Sequence, residues 1–115
     1  MKLLSNSAGA YLTGDDIADA VLRYGAALSN AQRVDLIDIP YVRTDDHERV
    51  DSVRFSVGWQ IALNAAHHHA EGVELVDHPF LLELSTRARF LHPRGDTPLA
   101  PEDVSFLGAM EEFDL

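Results

Sequence analysis

Ile17, Val21, Tyr24 and Leu28 recur at steps of four, three and four residues, and Ala18, Ala20, Ala26 and Ala27 fill positions between them. That spacing lays four large side chains along one stripe of a helix, and alanine favours the helical backbone. Thr13-Gly14-Asp15-Asp16 opens the segment, with Thr13 placed to cap it and two carboxylates at its positive end; Asn30 is a suitable stop. From Val34 the period changes to two. Ile37, Ile39 and Tyr41 alternate with Asp38 and Pro40, and the proline suits an edge strand. Val53, Phe55 and Val57 alternate with Ser52, Arg54 and Ser56, the mark of a strand with one buried face. The polar run Thr44-Asp45-Asp46-His47-Glu48 turns one strand into the other, which predicts a hairpin.

Residues 58–70 carry two patterns at once. Gln60 to Ala66 has good helical propensity with Gly72 as a cap, yet Trp59, Ile61, Leu63 and Ala65 also alternate. We favour a third antiparallel strand. A short turn at Gly58 would set Ile61 opposite Val57 and Leu63 opposite Phe55, and two strands alone are marginally stable. Asp77-His78-Pro79 then opens a second helix, with Asp77 as cap and proline in the first turn. Phe80, Leu81, Leu84, Ala88 and Leu91 form its buried stripe, Glu83 and Arg87 a surface pair, and Pro93 its end. Residues 1–12 fit either a short strand or a frayed arm. The expected architecture is α+β: one domain over residues 1–92, with two helices on one face of a small antiparallel sheet. Residues 93–115 form a proline-rich linker and an acidic, aromatic tail. In the core, Val53, Phe55 and Val57 should meet Ile17, Val21 and Leu84.

Composition narrows the chemistry. The chain of 115 residues has no Cys, one Lys at Lys2, and a formal charge of −10 from 19 acidic and 9 basic residues. Disulfides, thiolate nucleophiles and Cys-based zinc sites are excluded, and the charge opposes the basic footprint of a nucleic-acid binder. No window approaches the roughly 18 apolar residues of a membrane span, and the N-terminus lacks the apolar stretch of a signal peptide. A cytoplasmic location is the expectation. No Gly-x-Ser-x-Gly elbow, P-loop or dinucleotide fingerprint occurs, so nucleophilic catalysis and phosphate cofactors have no sequence support. The carboxylate pairs at 15/16, 45/46 and 111/112 read as helix start, turn and tail. Arg94-Gly95-Asp96 matches an adhesion tripeptide by chance.

Two candidate sites follow. On a strand, His67 and His69 would share one face, a way to present two imidazoles to zinc or another divalent transition metal. A third ligand would come from His78, with Glu71, Asp77 or His47 as further donors. On a helix the histidines splay by about 100° each and the site dissolves. The second candidate is an interaction surface made of Trp59 and the tail residues Phe106, Met110 and Phe113, which lie among Glu102, Asp103, Glu111, Glu112 and Asp114. It points to a homodimer or to a protein partner, with no role for nucleic acid or membrane.

The run Thr13-Gly14-Asp15-Asp16-Ile17-Ala18-Asp19-Ala20 through Tyr24, then Asp38-Ile39-Pro40, then Val57-Gly58 followed by Gln60, resembles small uncharacterised acidic proteins of actinobacterial type over about residues 11–63. The resemblance implies a bacterial cytoplasmic protein and brings no catalytic residues. The sequence thus favours a non-enzymatic binding or interaction module that self-associates over a metal-binding protein or metal-dependent enzyme using His67 and His69.

Overall fold

The computed structural model describes residues 1–46, 49–69 and 72–91. Five antiparallel strands, β1 (Lys2–Asn6), β2 (Gly9–Thr13), β3 (Val34–Val42), β4 (Val50–Gly58) and β5 (Asn64–His67), form one sheet in the order β4-β3-β2-β1-β5. Helices α1 (Asp15–Asn30) and α2 (His78–Arg89) pack on it. The expected α+β class holds, and the sheet is larger than the three strands read from the sequence.

Residues 1–12 supply the difference. Asn6 ends β1, and its side-chain oxygen accepts from the backbone N–H of Ala8 (2.8 Å) and Gly9 (3.2 Å), an Asx turn that folds β2 back on β1. Leu4, fully buried and paired with Tyr11, carries this hairpin into the core. The hairpin joins β3 at one bridge, Leu12 to Val42, next to which the buried Thr13 hydroxyl donates to the Pro40 carbonyl at 2.8 Å. Thr13 is therefore the end of β2 and not the helix cap. That place falls to Gly14, and the first helical N–H, of Asp15, donates to the Glu74 carboxylate. The Met1 ammonium lies 2.9 Å from Glu74 and 3.0 Å from Asp15, which lowers the Asp15 pKa chiefly through that hydrogen bond.

Pro40 sits in a strand that is interior in the sheet order, against the expected edge. The register resolves the conflict. Trp59 N–H donates to the Arg33 carbonyl and Arg43 N–H to that of Arg49, so the odd-numbered residues of β3 and β4 bond to each other. Pro40, an even residue, points its missing N–H away from β4, toward the side where β2 pairs only at Val42.

The third strand exists in part, with a different neighbour. Residues 64–67 pair with β1 (Leu4 to Ala65, Lys2 to His67) at the far edge of the sheet, so the expected pairings of Ile61 with Val57 and Leu63 with Phe55 do not form. Gly58 pairs with Val34 at the end of the β3–β4 ladder, Gln60 adopts φ 63°, and the chain crosses to β1. Leu63 anchors the crossing, its side chain packed over Gly25 of α1, where a Cβ would come within 2.6 Å of it.

The core lies between α1, α2 and the inner face of the sheet: Leu4, Ile37, Ile39, Phe55 and Val57 meet Ile17, Val21, Tyr24 and Leu28 of α1 and Phe80 and Leu84 of α2, with Val53 partly buried beside them. The expected core residues thus come together. Tyr11 packs edge-on against Tyr41 (5.1 Å between centroids) and Phe55 (6.1 Å). Asn6 donates to the Ser56 carbonyl at 3.1 Å. Since two strands lie between β1 and β4 in the sheet order, these contacts mean that the sheet is strongly curled. The linker and tail from residue 93, including Pro93 and Arg94-Gly95-Asp96, lie outside the described residues, as do His47, Glu48 and Glu71.

Candidate interaction surfaces

Asp77 caps α2 by accepting from Phe80 N–H at 3.0 Å, as its position in the sequence predicts, and this fixes where the helix presents Leu84 and Arg87. Arg87 reaches over the helix junction. Its Nη1 donates to Asp35 Oδ2 at 2.8 Å and its Nη2 to Glu83, while the Tyr24 hydroxyl donates to the same Asp35 oxygen at 2.6 Å. One carboxylate thus ties together α1, β3 and α2. Burial alone would raise the Asp35 pKa; hydrogen bonds from Tyr24, the Leu36 N–H and Arg87 outweigh it and hold the group below the ordinary carboxylate value. Burial and the same carboxylate push the Tyr24 phenol up. The sequence reading treated Glu83 and Arg87 as a surface pair and passed over Asp35. Its signal was available: Asp35 is the polar residue in the inward phase of Ile37, Ile39 and Tyr41.

Beside this network two depressions open. The larger, about 380 Å³, runs between the helices, lined by Leu81, Leu84 and Ala88 of α2 and by Ala20, Asp16, Asp19 and Arg23 of α1. The second, about 300 Å³, lies where β2 leaves β3 uncovered, between Leu36 and Asp38 on one side and Phe80 and Arg87 on the other. Arg54 bridges to Asp38 at 3.2 Å across its mouth, an exposed pair.

The outer side of the β3–β4 ladder carries apolar residues to solvent. Val34 and Leu36 are each 55% exposed, and Trp59 stands 38% exposed at the turn that closes the same end of the ladder. β4 is also a terminal strand. Because its odd residues bond to β3, the backbone groups of Val50, Ser52, Arg54 and Ser56 face outward, where the Ser56 carbonyl accepts from Asn6. Trp59, singled out from the sequence as an interaction residue, is thus on the surface next to further exposed apolar side chains. Phe106, Met110 and Phe113 lie outside the described residues.

The histidines are placed apart from these surfaces. His67 ends β5 opposite Lys2, His68 donates its N–H to the Met1 carbonyl, His69 lies past the strand, and His78 is the first residue of α2; all four are exposed. Among the described residues no group of three or more His, Asp or Glu side chains is arranged to hold a metal ion. The strand stops at His67, so the alternation that would have aligned His69 with it does not continue.

No helix among the described residues is long and apolar enough to cross a membrane. Comparison of the chain with models of known families, with curated proteins and with solved structures finds no match. Fold and surface together define an α+β protein whose charged groups lock the helices in place, whose terminal strand β4 is covered at Ser56 by Asn6 and faces outward from Val50 to Arg54, and whose helices leave a groove between them.

Proposed function

We propose that this chain is a non-enzymatic interaction module that self-associates by pairing β4 with β4 of a second copy. The observation that carries the reading is the outward-facing row of backbone donors and acceptors on the terminal strand β4 from Val50 to Arg54; beyond it the outward Ser56 carbonyl is taken by Asn6 of the same chain. Such an edge is a template for another strand, and a two-fold axis makes β4 its own complement. Side chains support the same pairing. A two-fold centred near Val53 sets Arg54 opposite Ser52 of the second copy, which separates the two guanidinium groups, and the exposed Leu36, Val34 and Trp59 flank the ladder with apolar surface. The ionisable groups with shifted pKa are engaged in ion pairs or, for Tyr24, in a hydrogen bond to a paired carboxylate, which is the pattern of structural charge networks as distinct from poised catalytic acids and bases.

Light scattering from about 1 to about 100 μM, a span that covers micromolar dissociation constants, should show a monomer–dimer transition. Ser52→Pro removes an outward N–H that β3 does not use, so the variant should stay folded by circular dichroism and remain monomeric throughout. A wild-type protein that is monomeric across the range, or a folded Ser52→Pro that dimerises as well as wild type, rejects the proposal.

A further inference from the structure

We propose that the groove between α1 and α2 binds a short zwitterionic peptide, an extended run of about three small or apolar residues with both termini free. The two helices start at the same end of the groove. Glu74, which takes the first N–H of α1, lies just before the Asp77 cap of α2, and further along Tyr24 of α1 and Arg87 of α2 meet at Asp35. Leu81 therefore stands at the Asp16 end and Ala88 at the Arg23 end. Ala20 and Leu84 are buried and form the floor, while Leu81 and Ala88 are half-buried and keep apolar surface for a ligand's side chains. At about 380 Å³ the groove falls at the small end of ligand cavities.

Charge gives the occupant its polarity. Of the three charged residues that line the groove, Asp19 is held by Lys2 at 2.7 Å. Asp16 and Arg23 are exposed, and neither has an ionic partner among the described residues. One free carboxylate and one free guanidinium thus remain, about 10 Å apart along α1, a length that three extended residues cover. An anionic ligand would leave Asp16 facing like charge, and a cationic one would do the same to Arg23. A ligand with an ammonium at one end and a carboxylate at the other answers both, and the planar fork of arginine matches a carboxylate. Ser85, on the α2 wall between Leu81 and Ala88, is exposed and its hydroxyl has no partner among the described residues, which leaves it free to bond a central peptide group. The site is complete within one copy, so it stands apart from the pairing of β4.

The probe is the tripeptide alanyl-leucyl-alanine, titrated to about 10 mM into the full chain at about 100 μM, with backbone amide shifts followed by NMR. Saturable shifts along residues 16–23 and 81–88 are expected, with a dissociation constant near millimolar. Acetylation of the peptide's amine, or amidation of its carboxylate, should each weaken binding about five- to ten-fold. Arg23→Gln should remove the penalty of amidation and keep that of acetylation, and Asp16→Asn should do the reverse; both side chains are exposed, and circular dichroism shows that the variants are folded. No saturable shift by 10 mM, or shifts that map away from the groove, overturns the proposal. So does equal affinity for the free and capped peptides, or a pattern of penalties that the two substitutions leave unchanged.

Discussion

Gly58 and Gln32 meet at one corner of the molecule, and the chain has chosen a suitable residue at only one of them. Helix α1 ends with Gln32 N–H donating to Ser29 and Arg33 N–H to the Leu28 carbonyl, the two bonds of a Schellman stop, which requires a left-handed residue at Gln32 (φ 55°). A side chain there costs about 1–2 kcal/mol, whereas glycine would give back about 0.5–1 kcal/mol as extra freedom of the unfolded chain. Gln32→Gly should therefore stabilise the protein by about 0.5–1 kcal/mol, read as a higher urea midpoint. Gly58 is the opposite case. It sits at φ 121°, and a Cβ would fall 2.3 Å from the Arg33 carbonyl oxygen and 3.1 Å from the Leu28 Cβ, both held by that same helix stop. Gly58→Ala should cost about 2–4 kcal/mol, and a variant as stable as wild type would show that this corner has been misread.

At the scale of elements, the junction of α1, β3 and α2 rests on Asp35, so stability should depend on pH with a definite sign. The folded pKa of Asp35 lies below its unfolded value, so its contribution is complete above about pH 4, the ordinary aspartate range, and is lost as pH falls through the lower folded value. With its side chain about one-third exposed, the ionic hydrogen bonds to Arg87 and Tyr24 are worth about 1–2 kcal/mol after screening. Asp35→Asn should be less stable than wild type by that amount at neutral pH, and the gap should close in strong acid. Tyr24 behaves in the other sense: its folded pKa is raised, so its contribution is complete below about pH 10 and is lost as pH rises beyond. Tyr24→Phe should flatten that alkaline limb in the same denaturation series. These elements also show what the sequence could disclose. The stripe Ile17, Val21, Tyr24, Leu28 and the cap Asp77 encode their structure within one segment, and the alternation around Phe55 specifies which side is buried. The partner of β5 is not encoded so locally, because Ala65 and Ala66 fit any apolar neighbour, and the choice of β1 depends on Leu63 seating over Gly25, 38 residues earlier in a helix. The hairpin of residues 2–13 was obscured by small residues; only Asn6, as an Asx turn, marked it. For the surface, Trp59 was legible as a lone indole beside a turn, while the outward-facing groups of β4 follow from a hydrogen-bond parity that appears only once strands are paired.

For the whole molecule, the question raised by the sheet is whether it folds as one body, since β2 and β3 share a single bridge at Leu12 and Val42. Left to that bridge, the β1–β2–β5 half and the β3–β4 half could open independently, in the way that segments joined by few contacts do. Side chains argue for a single unit. Tyr11 from one half stacks edge-on against Tyr41 and Phe55 from the other, Asn6 bonds to Ser56, and Leu4, Ile39 and Val57 share one cluster with both helices. Phe55, 2% exposed, is where the halves and α1 meet. Phe55→Ala should cost about 3–5 kcal/mol, much of the roughly 5–15 kcal/mol available to a domain of this size. The single Trp59 reports on the β4 end, and far-ultraviolet circular dichroism on all the elements. In urea the two should follow one transition, with the same midpoint and slope, in wild type and at a lower midpoint in Phe55→Ala. If Trp59 fluorescence in wild type instead changes at a midpoint distinct from the circular dichroism, the two halves are separate cooperative units and the Tyr11–Phe55 contact does not couple them.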